Sequence, residues 1–413
     1  MKLIIPVLDK IAIGALFVFV AFSMFSISIT QVAGGIGGLA WFCRAQLTKT
    51  WKEQSWPLGI SFSLYVLACL VAVADAYDVS YSFKPLKKLL EILIFFWVLN
   101  SVRNNKLRDL LVMVLIVSAT LAGLFGFYQA WEDGVSVASR VEGTMSVYMT
   151  FAGLLMTVGM VAFGRALFRH PKESWLWFAI IVIIVCLLFT LTRQAWFGFI
   201  VGSAFLVYMW RKKYFVILSA CIFSIIILAT GPMKSQVQKI LIPKDDTFIE
   251  QTKLRFLGII SGNDSTFDMR KALWMGGWEI YKDHPLTGCG FRCVDLVHPE
   301  YPDPTGYIKH LRGMHNNFVQ LAVDTGFLGL SAWLGIWFCF FRLLYRKALA
   351  LEGDPHKCWV IFGSVAAVLA FLSGGCFESN FYDSEVVMVL YFIMALPFAG
   401  SERGGLHKSL EVH

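Results

Sequence analysis

Residues 174–210 read SWLWFAIIVIIVCLLFTLTRQAWFGFIVGSAFLVYMW, and this stretch decides the fold. It holds two apolar runs, 174–191 and 194–210, separated by a short polar step that contains Arg193, its one charged residue. A membrane-spanning helix needs about 20 mostly apolar residues, so each run is nearly long enough to cross a bilayer. The stretch therefore predicts two consecutive spans joined by a tight turn at Arg193.

The same pattern recurs along the chain. Of the 413 residues, 57% are hydrophobic and 15% are charged, whereas soluble domains are about 45–50% apolar and about 25% charged. This composition excludes a disordered chain, a nucleic-acid-binding domain and an ordinary cytosolic enzyme, and it predicts an all-α integral membrane protein. The first apolar segment lacks a small-residue cleavage site, so we expect a retained helix. The twelve predicted spans are 11–29, 31–43, 57–75, 85–101, 109–130, 145–168, 174–191, 194–210, 214–231, 326–345, 358–375 and 384–400.

The span at 31–43 is short and glycine-rich, which is typical of a tilted, re-entrant or tightly packed helix. Orientation follows from the basic residues. When the N-terminus is placed in the cytoplasm, 20 of the 36 Lys and Arg residues fall on the inside. Because Lys and Arg accumulate in cytoplasmic loops, we expect both termini to be cytoplasmic.

One long loop interrupts the short connections, and it divides the chain into helices 1–9 (1–231), an external loop (232–325), and helices 10–12 with a short tail (326–413). Loops of this length are usually functional when they are folded. Within it, residues 266–284 have helical apolar spacing and precede Pro285, so they predict an amphipathic helix. A second amphipathic helix is predicted over 313–325, ending at Gly326.

The nine cysteines are dispersed, and most lie in or beside spans. Cys289, Cys293 and Cys376 fall outside, in an oxidising compartment. For Cys289 and Cys293, a bridge and two free thiols both remain open. No CxxC pair or HExxH motif is present, so we predict no metal site and no cofactor.

Three polar residues stand out on the outer side. Arg193 lies at the membrane boundary, where a guanidinium either anchors a turn or grips phosphate oxygens bidentately. Arg270 lies in the first turn of the loop helix, where the helix N-terminus also favours anions, although a solvated charge is the commoner role. His315 opens the second loop helix, and an imidazole there can take a proton from a hydroxyl near neutral pH.

Four weaker candidates surround these. Asn316 lies one helical turn from Gln320 and can bond a polar ligand, and Arg292 and Arg312 can contact phosphates of a substrate, although structural or solvated roles are commoner. Glu378 follows the eleventh span on the outer side, where it can orient His315 or close a salt bridge.

These residues lie in motifs that resemble those of O-antigen ligases and the wider O-antigen polymerase superfamily. In residues 315–329, His-Asn is followed after nine residues by Gly-x-x-Gly. Residues 190–195 (TLTRQA) look like that family's arginine between two spans. In 270–290, Arg-x3-Trp precedes HPLTGCG. The order and rough spacing also match, and the span pattern extends the resemblance over the full chain.

The resemblance implies a GT-C-like fold and a glycosyltransferase of the inner membrane of Gram-negative bacteria, with its active site facing the periplasm. The donor is a glycan on undecaprenyl diphosphate, and the acceptor of a ligase is a hydroxyl of lipid A–core. Such enzymes invert the sugar configuration and are metal-independent. Arg193 and Arg270 then bind the diphosphate, and His315 is the general base. Monomers and homo-oligomers are both compatible with the sequence.

Alternatives remain. An O-antigen polymerase uses the same donor but often carries two sizeable outer loops, whereas one is predicted here. A protein O-oligosaccharyltransferase usually extends further at its C-terminus, and this chain stops about thirteen residues after its last predicted span. A lipid-linked glycan transporter binds its cargo near mid-membrane with ionisable residues or broken helices. The predicted spans are nearly free of charge at their centres, which favours an interfacial enzyme.

Overall fold

A computed structural model describes residues 4–136, 139–169, 171–216, 265–351 and 354–400, which are helical and contain no β-strand. Most of the predicted span 214–231, the loop before residue 265 and the tail after residue 400 lie outside the described residues. The helices are α1 (Ile4–Phe22), α2 (Ile27–Thr48), α3 (Gly59–Ala74), α4 (Val79–Phe83), α5 (Ile92–Ser101), α6 (Asn105–Asp133), α7 (Tyr148–Phe168), α8 (Trp175–Phe189), α9 (Arg193–Trp210), α10 (Ser265–Asp283), α11 (Val294–Val297), α12 (Tyr307–Leu311), α13 (Asn317–Ala350), α14 (Pro355–Gly374) and α15 (Ser384–Ala395). Short 3₁₀ segments cover Trp51–Glu53, Lys84–Glu91, His298–Glu300 and Asn380–Tyr382.

Each predicted span among the described residues, apart from 214–231, overlaps a helix. In this part of the chain, five helices are long and apolar enough to cross a membrane by themselves: α1, α6, α7, α13 and most of α14. Three shorter helices, α3, α8 and α15, are also apolar. The described part of the chain is therefore all-helical, with several candidate membrane spans, and the number twelve remains a prediction.

Several predicted spans differ in extent. The first was expected over 11–29, whereas α1 covers Ile4–Phe22, and the last was expected over 384–400, whereas α15 covers Ser384–Ala395. The glycine-rich second span is not short, because α2 runs over 22 residues from a cap at Ser26. The fourth, expected as one helix over 85–101, begins as the 3₁₀ segment Lys84–Glu91 and becomes α-helical only at Ile92. Pro85 lacks a backbone N–H, and its ring restricts the residue before it, so it favours a helix start there over a helix interior.

Close packing of small residues holds the central helices together. α14 packs against both α7 and α9. A Cβ added at Gly164 would lie 2.8 Å from the Cα of Gly363, and one added at Gly198 would lie 2.4 Å from the carbonyl oxygen of Ala370. Small residues at such contacts let membrane helices approach through their backbones. This packing places the first turn of α9, which carries Arg193, beside the end of α14.

An ionic cluster occupies the other end of α6, α7 and α14. Arg165 is 1% exposed, and its guanidinium donates to both carboxylate oxygens of Glu173 at 2.9 and 2.8 Å and to the Asp109 carbonyl at 2.9 Å. Its Cζ lies 5.2 Å from the ring centre of Trp359. Because a buried charge requires such partners, the cluster keeps these helix ends together. This is the end that the basic residues assign to the cytoplasm.

α13 is broken at Gly326, whose φ of 62° and ψ of −163° are not helical. The chain from Pro285 to Gly290 docks against this break. The N–H groups of Phe327 and Leu328 donate to the Pro285 and Leu286 carbonyls at 2.8 and 3.1 Å. The second loop helix thus begins at Asn317, later than expected, and ends at the break as predicted. The HPLTGCG segment therefore packs against α13 at this break.

Replacing Gly326 by alanine is expected to destabilise the protein by about 3 kcal/mol. Its backbone conformation is nearly restricted to glycine, and an added Cβ would lie 2.3 Å from the backbone of Leu286. Thermal unfolding in detergent measures the effect. Gly335→Ala in the same helix is the control, because no heavy atom lies within 4 Å of its added Cβ. Equal unfolding temperatures for the two variants would contradict this role of Gly326.

Candidate active site

His315 has an unusual backbone conformation and a carboxylate partner. Its φ of 45° is in the left-handed region, which few residues other than glycine adopt and which is enriched at functional sites. Its Nδ1 lies 3.1 Å from Oε1 of Glu378, and the two side chains are 23% and 15% exposed. The pair is therefore partly shielded from water yet open to a ligand.

Glu378 lies in the loop of residues 375–383, which joins α14 to α15, and this loop organises the site. Its Oε1 also accepts the Ser379 N–H at 3.1 Å, and its Oε2 accepts Nε2 of Gln194 at 3.4 Å. Gln194 follows Arg193 in the first turn of α9. One carboxylate thus connects the start of α9 with the start of α13.

Arg270 reaches the same loop from α10. Its Nε donates to the carbonyl of Phe377 at 3.1 Å, and the Phe377 ring packs near Phe197 and Trp274, with centroids 5.7 and 6.4 Å apart. Trp274 in turn donates from its indole to the Met314 carbonyl at 3.0 Å. α10 therefore touches both the loop residue before Glu378 and the residue before His315.

Arg193 is the first residue of α9 and is half-buried. It follows Leu191, which has a left-handed φ of 50°, and Thr192, which stands at the N-cap position and whose hydroxyl donates to the Thr190 carbonyl. The tight turn expected between two apolar helices is present. The structure thus brings the segments of Arg193, Arg270 and His315 to the same two loop residues, Phe377 and Glu378.

The remaining candidates have other surroundings. The Oδ1 of Asn316 accepts the N–H groups of Phe318 and Val319 at 2.8 and 3.2 Å, so this side chain caps α13. Arg292 is 65% exposed, with its Nε 3.8 Å from Asp295. Arg312 ends α12 and donates to the Lys309 carbonyl at 3.3 Å. These particular contacts do not involve His315 or Glu378.

Arg292 and Arg312 interact electrostatically with Tyr81, which lies in α4 between α3 and α5. The hydrogen bond from the Tyr81 hydroxyl to Asp295, at 2.6 Å, raises the pKa of Tyr81, and the two arginine charges oppose this rise. The hydrogen bond between Tyr81 and Asp295 thus connects α4 with α11.

Two important residues were not among the site candidates. Asn317 is fully buried: its N–H donates to the Gly375 carbonyl at 2.7 Å, and its Oδ1 accepts the Phe381 N–H at 3.0 Å. Gln194 contacts Glu378. In both cases the available signal was a polar side chain at the edge of an apolar run, beside a residue already singled out.

Cys289 and Cys293, whose state the sequence leaves open, are joined by a disulfide. Within the described part of the chain, no group of three or more His, Cys, Asp or Glu side chains is arranged to hold a metal ion.

Replacing Glu378 by glutamine is expected to lower the turnover of the site about fivefold to tenfold. A carboxylate stabilises a protonated imidazole through a charge-assisted hydrogen bond, which is roughly twice as strong as the neutral bond that glutamine can offer. Initial rates with saturating substrate measure the effect. Glu279→Gln, on α10 beside Lys282, is the matched control, and equal rates for both variants would contradict a role for Glu378.

Comparison with known proteins gives two findings. Residues 178–334 match the family model described as O-Antigen ligase, and this range includes Arg193, Arg270 and His315. The Exopolysaccharide production protein ExoQ of Rhizobium meliloti (strain 1021) is 32% identical over 113 residues, which are 26% of this chain and 26% of the relative. The alignment thus spans about a quarter of the relative's length. The resemblance to the O-antigen ligase and polymerase superfamily is confirmed over the matched residues.

Proposed function

We propose that this chain is an O-antigen ligase that transfers a glycan from undecaprenyl diphosphate to a hydroxyl of lipid A–core. The observation that carries the proposal is the His315–Glu378 pair, assembled beside the segment of Arg270. Of the site residues, Arg193, Arg270 and His315 fall in the O-Antigen ligase match. A base next to a fixed guanidinium suits the transfer of a sugar from a diphosphate.

The reaction needs a base and a stabilised leaving group. The acceptor hydroxyl oxygen attacks the anomeric carbon of the donor sugar, the bond from that carbon to the diphosphate oxygen breaks, and the configuration inverts. The hydroxyl proton goes to Nε2 of His315, because Nδ1 faces Glu378. Glu378 then stabilises the imidazolium, as a carboxylate orients and supports a catalytic histidine in general.

Arg193 and Arg270 supply the positive charge for the diphosphate. Charge grows on the leaving oxygen as the glycosidic bond breaks, and preorganised guanidinium groups stabilise such charge most where water is partly excluded. Undecaprenyl diphosphate leaves, and the glycosyl–diphosphate bond provides the driving force. We propose that these arginines make a metal ion unnecessary.

The placement of the site fits a periplasmic reaction. His315, Arg193 and Glu378 stand at helix ends on the side opposite the Arg165 cluster, which lies at the ends predicted to be cytoplasmic. We propose a twelve-span, GT-C-like chain in the inner membrane with both termini in the cytoplasm, so that the site faces the periplasm.

An O-antigen polymerase is the second candidate. The name of the ExoQ relative assigns that protein to exopolysaccharide production, and a polymerase uses the same donor chemistry with a second lipid-linked glycan as acceptor. The two functions differ only in the molecule that supplies the hydroxyl.

A reconstitution in nanodiscs tests the proposal. The purified protein is mixed with undecaprenyl-diphosphate glycan and lipid A–core, without ATP and with a chelator. We expect a ladder on lipid A–core in a gel. Lengthening of the lipid-linked glycan without modification of lipid A–core would identify a polymerase, and no transfer to either acceptor would overturn both functions.

A further inference from the structure

Asp324 is a buried carboxylate that the proposed chemistry does not use. It lies in the first segment of α13, two residues before the break at Gly326, and it is 0% exposed. Burying a carboxylate is unfavourable unless hydrogen bonds satisfy it. Its Oδ1 accepts Nε2 of Gln320 at 3.0 Å and its Oδ2 accepts the hydroxyl of Tyr382 at 2.6 Å.

The first bond leads to His315. While Nε2 of Gln320 donates to Asp324, its Oε1 accepts the N–H of Met314 at 2.9 Å. An amide side chain has one donating end and one accepting end, and a carboxylate only accepts. Asp324 therefore fixes which end of Gln320 faces Met314, and this bond holds the backbone that enters the left-handed conformation of His315.

The second bond leads to Glu378. Tyr382 closes the 3₁₀ turn Asn380–Tyr382, four residues after Glu378 in the 375–383 loop. The hydrogen bond from its hydroxyl to Asp324 attaches this turn to α13. A second hydrogen bond, from the Phe381 N–H to Oδ1 of Asn317, does the same. Asp324 is therefore linked to both sides of the pair. Through Tyr382 it bonds to the loop that carries Glu378, and through Gln320 it is linked to Met314, the residue before His315.

We propose that Asp324 is a positioning residue that aligns both members of the His315–Glu378 pair. It acts through Gln320 on His315 and through Tyr382 on the loop of Glu378, without touching substrate. The inference rests on the proposed function, because it assigns a purpose to the alignment of that pair.

The first test is Asp324→Asn. Asparagine keeps the size of the side chain but replaces one accepting oxygen by an N–H₂ group. If this group faces Gln320, Gln320 either loses its bond or turns its own N–H₂ toward Met314; if it faces Tyr382, the hydroxyl has to accept instead of donating. We expect kcat to fall about tenfold, the scale of one lost buried hydrogen bond, with little change in KM for the donor. Hydrogen exchange of the Met314 amide is expected to accelerate.

The second test is rescue. Gln320→Glu alone sets two carboxylates in contact and is expected to slow transfer. In the double variant Asp324→Asn/Gln320→Glu, the new carboxylate accepts from both the introduced asparagine amide and the Met314 N–H. We expect kcat to return to within about threefold of the unmodified protein, with Met314 protection restored. Gln320→Glu is thus expected to slow transfer in the unmodified protein but to speed it in Asp324→Asn. If Asp324 were needed only for folding, this opposite effect would not be seen.

Two outcomes would overturn the proposal: an unchanged kcat in Asp324→Asn, or a double variant that regains Met314 protection while remaining slow. If Asp324→Asn does not fold, Tyr382→Phe tests the second arm alone, and faster exchange of the 377–382 amides with slower turnover is expected. Unchanged exchange and turnover in that variant would also overturn it. Hydrogen exchange requires no substrate, so failure of the proposed function is recognised separately by inactivity of the unmodified protein.

Discussion

Replacing His315 by alanine is expected to lower glycan transfer by about 10²–10⁴-fold, the usual contribution of a general base. The imidazole is oriented by Glu378 at 3.1 Å and sits in a left-handed backbone conformation that the start of α13 maintains. In the proposed mechanism this imidazole takes the proton of the acceptor hydroxyl, which alanine cannot do. Single-turnover rates with saturating donor and acceptor in nanodiscs measure the loss in kcat.

The controls separate base catalysis from folding. His310→Ala removes an exposed histidine five residues earlier in the same loop and is expected to leave the rate unchanged. His315→Gln retains a group that can bond Glu378 but cannot accept the proton at neutral pH, so it is expected to be as slow as His315→Ala. Retention of more than a tenth of the activity in His315→Gln would remove the base from the mechanism.

The candidate residues could be singled out because they are exceptions in an apolar chain. Arg193 is the one charge in the 37 residues from 174 to 210, and His315 opens a helix beside a span. A contact between Glu378 and His315 was one of two roles open for Glu378, and the sequence could not decide between them, since the 375–383 loop makes contacts between residues 63 to 184 positions apart. Local patterns contain no information about such pairs, so Glu378 was only one weak candidate among several.

Helix extents were predicted less well, for a physical reason. Hydropathy detects apolar residues and not the helix itself. It therefore found only the middle of α2, because both ends of this helix carry polar side chains. It also merged the 3₁₀ segment Lys84–Glu91 with α5. The break at Gly326 was predicted, but its partner was not, because the docking of residues 285–290 is a tertiary contact.

Replacing Arg270 by alanine is expected to lower transfer by about 10²–10³-fold, the effect of removing one preorganised group that stabilises transition-state charge. The bond from its Nε to the Phe377 carbonyl at 3.1 Å fixes the guanidinium plane beside the His315–Glu378 pair. Arg270→Lys keeps the charge but loses the planar fork, so an intermediate rate is expected. Lys271→Ala, at the neighbouring exposed position, is the control and is expected to be active.

A double-variant cycle separates two explanations of that loss. Because Arg270 bonds to Phe377 and Glu378 is the next residue, Arg270 can act on the diphosphate or only by holding the loop. If it acts on the diphosphate, the effects of Arg270→Ala and Glu378→Gln multiply, since they concern leaving group and base separately. If it only holds the loop, Glu378 is already displaced in Arg270→Ala, and the second change adds little. We expect multiplication within about twofold, because the proposed mechanism assigns Arg270 to the leaving group and Glu378 to the base.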